Sequence, residues 1–259
     1  MITTVKQYGE IRTGTNYLRA LIQRNYHDVH VLSYILGNKH SPPVPFDSIR
    51  EQAAQTDDPA FNFVSTATFA QRGGASHPRD LTQHAELVRR APHIARAYAN
   101  GELGFLITIK DPYAWIVSAA RFNGWIRGDE PLQEWSMEFM REACLGYNRN
   151  YRAWISFVRA HESHARLIRY EDLLADPEQV MSDIAAQFGW HRSGVFETIP
   201  AIIEPTHWDH LPVVEAPDTF QPSYYANGEY MQRLPETHLR VINDLMDWEL
   251  LSECGYEQL

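Results

Sequence analysis

The stretch Tyr8–Ile22, YGEIRTGTNYLRALI, decides how the rest of the chain is read. Tyr8 closes a short apolar run that includes Ile2 and Val5, Gly9 and Gly14 let the backbone turn, and Tyr17, Leu18, Leu21 and Ile22 recur at helical spacing. The pattern is strand, tight turn, helix. A helix entered in this way offers unpaired N–H groups and the positive end of its dipole, and Arg12, Thr13, Thr15 and Asn16 bring further donors to the same point. An anion site is expected there, best suited to a phosphate, with a polar helix cap as the alternative. No Gly-Lys-Ser or Gly-Lys-Thr occurs in the chain, so the GxxxxGK[ST] cradle of ordinary nucleoside triphosphatases is missing.

Working outward, Val29, Val31, Leu32, Tyr34 and Ile35 predict a second strand, ended by Gly37-Asn38-Lys39-His40 and a Pro-rich loop. Leu103–Ile109 is a continuous apolar run, as a central parallel strand buried on both faces requires. Asp111 then suits a helix cap and Pro112 the first helical position, which puts Lys110 at the strand tip and Ser118 about two turns into the helix. This is a second strand-to-helix anion corner, unless it is a capped helix with a surface Lys and a packed Ser. Residues 165–170 predict a further strand, followed by a helix to Phe188.

Strands alternating with helices imply an α/β fold, a central parallel sheet flanked by helices, with ligands at the carboxyl ends of the strands. Residues 132–160 carry an aromatic stripe at helical spacing with a break expected at Gly146, and residues 235–254 return to that spacing. Short helices are expected near 48–54 and 81–91, and the loops between hold Arg72, His77, Arg79 and His84. Residues 191–229 read as a Pro- and aromatic-rich loop.

At 259 residues, without repeats, the chain is expected to form a single domain over 1–259. Its net charge of -10 argues against a nucleic-acid partner or a broad membrane-binding face. Neither of its 2 cysteines sits in a CxxC pair, and no apolar run approaches membrane-spanning length. A cytoplasmic protein without a membrane span is expected. His207, Asp209 and His210 could ligate zinc but lack a defined third-ligand spacing, so no metal is expected.

The two corners and the strand-to-helix segment at 165–188, taken in order, resemble the family of sulfotransferases that use 3′-phosphoadenosine 5′-phosphosulfate (PAPS), whose architecture is P-loop-NTPase-like. IRTGTNYL resembles the family's 5′-phosphosulfate loop PKSGTTWL. That aligns Arg12 with the loop Lys, Thr13 with Ser, then Gly14, Thr15, Asn16 with Thr, and Tyr17 with Trp. TIKDPYAWIVSAAR resembles the 3′-phosphate motif, with Lys110 at the Arg position and Ser118 at the Ser. LIRYEDLLADP is similar to the family's RYEDLLxDP segment, which implies that Tyr170 borders the nucleotide.

Lys39-His40-Ser41-Pro42 resembles the Lys-Thr-His-Leu-Pro element in which many cytosolic members carry their base. Two departures stand out: Arg12 replaces a Lys and is a poor proton donor, and the family's RKG contact has no clear counterpart beyond Asn227-Gly228.

The resemblance implies transfer of a sulfuryl group from PAPS to a hydroxyl, less readily an amine, of a small molecule or glycan, leaving 3′-phosphoadenosine 5′-phosphate (PAP). Arg12 would stabilise the leaving phosphate, His40 would be the base, and Lys39 would hold the sulfuryl oxygens. Glu10 and His77 compete for the base. The rival readings are a kinase-like phosphotransferase and a nucleotide-binding domain without turnover.

Overall fold

The computed structural model describes residues 1–32, 39–43, 97, 100–126, 130–192, 194–199 and 222–259. The expected short helices near 48–54 and 81–91, together with Arg72, His77, Arg79, His84, His207, Asp209 and His210, lie outside the described residues.

Among the described residues the chain runs β1 (Thr4–Gly9), α1 (Thr15–Asn25), β2 (His30–Leu32), β3 (Leu103–Ile109), α2 (Pro112–Phe122) and α3 (Met137–Ala160). It continues through β4 (Ala165–Arg169), α4 (Tyr170–Ala175), α5 (Pro177–Phe188), α6 (Pro222–Ala226), α7 (Glu236–Leu245) and α8 (Trp248–Ser252). The four strands form one parallel sheet in the order β2-β1-β3-β4, with Thr4 opposite Leu103 and Gly9 opposite Thr108. The α/β architecture expected from the alternation of elements is therefore present.

Alternate residues of each strand face opposite sides of a sheet, and here both sides are covered. Tyr8, Phe105, Ile107 and Ile109 pack into a cluster with α2, α3 and α7, including Trp115, Tyr151 and Ile242. Val5 and Leu106 pack on the other side with Leu18, Leu21, Ile184 and Phe188 from α1 and α5. Because β2 and β3 lie on opposite sides of β1, the strand order reverses between β1 and β3. In open α/β sheets the crevice at such a switch point is where ligands bind.

Several boundaries differ from the sequence reading. The helix expected to break at Gly146 runs unbroken from Met137 to Ala160, where buried Tyr147, Tyr151 and Trp154 outweigh the roughly 1 kcal/mol that one glycine costs. Residues 235–254 divide into α7 and α8, with Met246 extended and Asp247 capping α8 by accepting from the Leu250 N–H. Tyr170 opens α4 rather than ending β4. Part of the loop expected over 191–229 is the short helix α6.

Candidate functional site

The first corner follows β1. Arg12 has a left-handed backbone, φ 72°, which costs an L-residue about 1–2 kcal/mol and leaves its side chain exposed. Gly14, φ 87°, is the N-cap of α1 and offers no side-chain cap, so the first turn of the helix has no side-chain acceptor from that residue. Only glycine fits this position: a Cβ there would lie 2.3 Å from Cδ2 of Tyr170. The loop is held from beneath. Trp115 Nε1 donates to the Ile11 carbonyl at 2.9 Å, and the buried Thr13 hydroxyl donates to the Glu10 carbonyl at 2.7 Å and lies 2.9 Å from the Thr108 hydroxyl.

Thr13, expected as a ligand donor through its side chain, therefore has that hydroxyl committed to the loop. Thr15 is buried in the first turn, and Tyr17 packs among Val5, Leu18 and Leu21.

The second corner follows β3. Asp111 caps α2, accepting from the Ala114 N–H at 2.9 Å, and Pro112 occupies the first turn, as the sequence predicts. Lys110 departs from the surface position that the bland alternative required: it is 1% exposed. Its ammonium lies 3.6 Å from the ring centre of Tyr225 and 4.7 Å from that of Tyr170, a cation–π box. Burial pushes its pKa well below the ordinary lysine value, and Glu171 acts in the opposite direction. Tyr147 donates to the Lys110 carbonyl at 2.5 Å and Tyr151 to that of Thr108 at 2.8 Å, so α3 satisfies the end of β3.

The two corners meet at Ser118. Arg12 Nε and the Tyr225 hydroxyl each donate to its buried hydroxyl at 3.4 Å. Arg12, Gly14, Lys110, Ser118 and Tyr170 thus gather at one crevice, although Arg12 and Ser118 are far apart in sequence.

The segment after β2 closes the other side. The Gly9 N–H donates to the Lys39 carbonyl at 2.9 Å, and Lys39 Nζ donates to Asn16 Oδ1 at 2.7 Å. His40 Nδ1 lies 2.6 Å from the Gly9 carbonyl. A carbonyl can only accept, so Nδ1 carries the proton of the neutral ring and Nε2 is its basic nitrogen. Burial lowers the His40 pKa to about 4, against a raising hydrogen bond to Gly9, with the Lys39 and Lys6 ammonium groups lowering it further. Burial likewise brings Lys39 to about 8.

Of the rival bases, Glu10 accepts from Asn150 Nδ2, and its pKa is raised by burial. His77 lies outside the described residues.

Three contributors escaped the sequence reading. Lys6, wholly buried in β1 with its ammonium 5.0 Å from the Tyr8 ring centre, sits in a run that periodicity treats as strand filler. Tyr225 lies in a stretch without periodicity. Glu171 lies within the RYEDLLxDP-like segment without a role of its own in the sequence reading; its Oε1 accepts from the Asp111 N–H at 2.9 Å. Among the described residues, no group of three or more His, Cys, Asp or Glu is placed to hold a metal ion, and no helix is long and apolar enough to cross a membrane.

The fold and crevice define an α/β protein with two strand-to-helix corners, each bearing a cation, at the switch point of a parallel sheet. Searches of protein-family models and of curated proteins give no match. Among solved structures, the chain is similar to the sulfotransferase domain from the Synechococcus PCC 7002 olefin synthase. That comparison has a TM-score of 0.46 and 14% identity, covering 99% of this chain and 94% of that one. It is also similar to the sulfotransferase domain from the curacin biosynthetic pathway, with a TM-score of 0.48 and 14% identity, covering 100% of this chain and 99% of that one.

Proposed function

We propose that this protein is a sulfotransferase that moves the sulfuryl group of PAPS to a hydroxyl, less readily an amine, of a small molecule or glycan. The observation that carries this reading is the convergence of two cationic strand-to-helix corners on Ser118, with Arg12 Nε 3.4 Å from its hydroxyl. A nucleotide bearing phosphates at both its 5′ and 3′ positions presents two anions to two such corners.

The residues present fit the donor. The N-terminus of α1 with the left-handed Gly14 suits its 5′ end, and Lys110 with Ser118 suits a 3′-phosphate. When bound, the donor supplies a sulfur already bonded to a good leaving group, the 5′-phosphate oxygen. Arg12 would oppose negative charge on that oxygen, and Lys39 would supply positive charge for the sulfuryl oxygens. His40 Nε2 takes the proton of the acceptor hydroxyl as the new sulfur–oxygen bond forms. The work is positioning and charge stabilisation.

Calorimetry with PAP, adenosine 5′-phosphate and ATP, followed by turnover assays with PAPS and an acceptor panel, tests the reading. PAP is expected to bind best and to form from PAPS only when an acceptor is present. Preference for ATP with phosphoryl transfer would replace the reading with a kinase. Tight PAP binding without turnover on any acceptor would reduce it to a nucleotide-binding domain.

A further inference from the structure

The peptide groups at the tip of β3 are bonded from several directions, and one of these bonds leads to a distant part of the chain. Glu171, at the start of α4, accepts from the Asp111 N–H through Oε1 at 2.9 Å. Its other oxygen accepts from the Tyr256 hydroxyl at 2.7 Å, and Tyr256 is buried. Tyr256 follows α8 in a turn at Gly255, whose φ of 79° calls for glycine and which lies against the Arg169 guanidinium. The ring of Tyr256 lies beneath the Arg169 guanidinium, 4.7 Å from its centre.

The same segment is fastened again further on. The Leu259 N–H donates to the Tyr113 hydroxyl at 3.0 Å, and Asn243 Nδ2 donates to the Leu259 carbonyl at 2.8 Å. Residues 255–259 are thus tied to the first turn of α2 and to the carboxylate beside Lys110.

A carboxylate that receives a hydrogen bond on each oxygen cannot turn without breaking one of them. We infer that Tyr256 is a positioning residue for the second corner: it fixes the Glu171 carboxylate, which holds the Asp111 peptide and so the direction in which Lys110 leaves β3. The inference rests on the reading of Lys110 as a 3′-phosphate ligand. Tyr256→Phe is the informative change, because it removes the hydroxyl and keeps the ring under Arg169.

The experiment measures affinity for PAP and for adenosine 5′-phosphate in the full chain. In Tyr256→Phe, PAP is expected to bind about tenfold more weakly and adenosine 5′-phosphate within about twofold of wild type, since the lost constraint touches only the 3′ side. General loosening of the fold would weaken both ligands alike, and equal losses would overturn the inference, as would unchanged PAP affinity. In a Glu171→Ala background, adding Tyr256→Phe should change the ratio of the two affinities by less than about twofold, because the route through the carboxylate is already cut. Independent, multiplying losses would overturn the route. A wild-type protein that does not distinguish the two nucleotides would overturn the 3′-phosphate reading itself and the inference with it. A wild-type preference that survives Tyr256→Phe would overturn the inference alone.

Discussion

At the end of β1 the chain turns through the left-handed Arg12 and leaves its guanidinium exposed, whereas at the end of β3 Asp111 caps α2 directly and Lys110 lies buried between two tyrosine rings. The first corner offers helix-terminal backbone and a charge in contact with water. The second offers one cation, held in place before any ligand arrives. Under the proposed function, the helix-terminal N–H groups and the Arg12 guanidinium would oppose the charge that develops at the first corner, while the fixed cation of the second would recognise an anion whose charge stays constant. On that reading, turnover would fall to the first corner and recognition to the second.

The largest expected effect breaks that division at its first half. Arg12→Ala should lower kcat by on the order of 10²–10³ while leaving PAP affinity within a few fold, as removal of a donor to a developing anion does in other enzymes. Single-turnover kinetics beside calorimetry separates the two. A loss confined to PAP binding would make the first corner a recognition site as well.

Gly14→Ala tests the backbone half of the same corner. The left-handed φ and the contact 2.3 Å from Tyr170 should together cost about 2–4 kcal/mol of stability, read by thermal or denaturant unfolding. A variant as stable as the wild type would mean that Tyr170 is free to withdraw.

Lys110→Met sharpens the second half. It should lose about 1–3 kcal/mol of the preference for PAP over adenosine 5′-phosphate, yet unfold no more easily than wild type, because an apolar chain of similar length replaces a desolvated ammonium. Loss of stability with the preference intact would show the lysine to be structural.

The last effect is one of pH. With the His40 pKa lowered from 6.5 to about 4, the acid limb of kcat/KM should fall near pH 4, not near 6.5. In the complex with the anionic donor the limb of kcat should move upward, since the ligand offsets Lys39 and Lys6. The sign for stability is the same. The unfolded chain takes up the His40 proton first as pH falls, so this group's contribution is present above about 6.5 and is lost toward 4. His40→Ala should flatten that part of the stability curve, measured by unfolding across the pH range.

Both corners were legible locally. The apolar run Leu103–Ile109, the Asp-Pro cap at 111–112 and the Gly14 turn are short-range signals, because strand burial, capping and left-handed backbone each select residue types within a few positions. The break expected at Gly146 failed for the converse reason. A glycine's cost is small and local, while the packing of Tyr147, Tyr151 and Trp154 beneath the sheet depends on partners that the sequence does not place.

By itself the sequence determined the parallel α/β class and two separate strand-to-helix corners, which rest on periodicity and capping. Tertiary structure decided that β3 pairs directly with β1, so that Gly9 lies opposite Thr108 and Arg12, in the loop after β1, reaches Ser118. It also decided that Lys110 is buried between Tyr170 and Tyr225, and that Tyr256 reaches the Glu171 carboxylate that accepts from the Asp111 N–H. These contacts join residues many positions apart, and whether a lysine is a solvated surface charge or a desolvated ligand depends on what packs around it, which no short window of sequence contains.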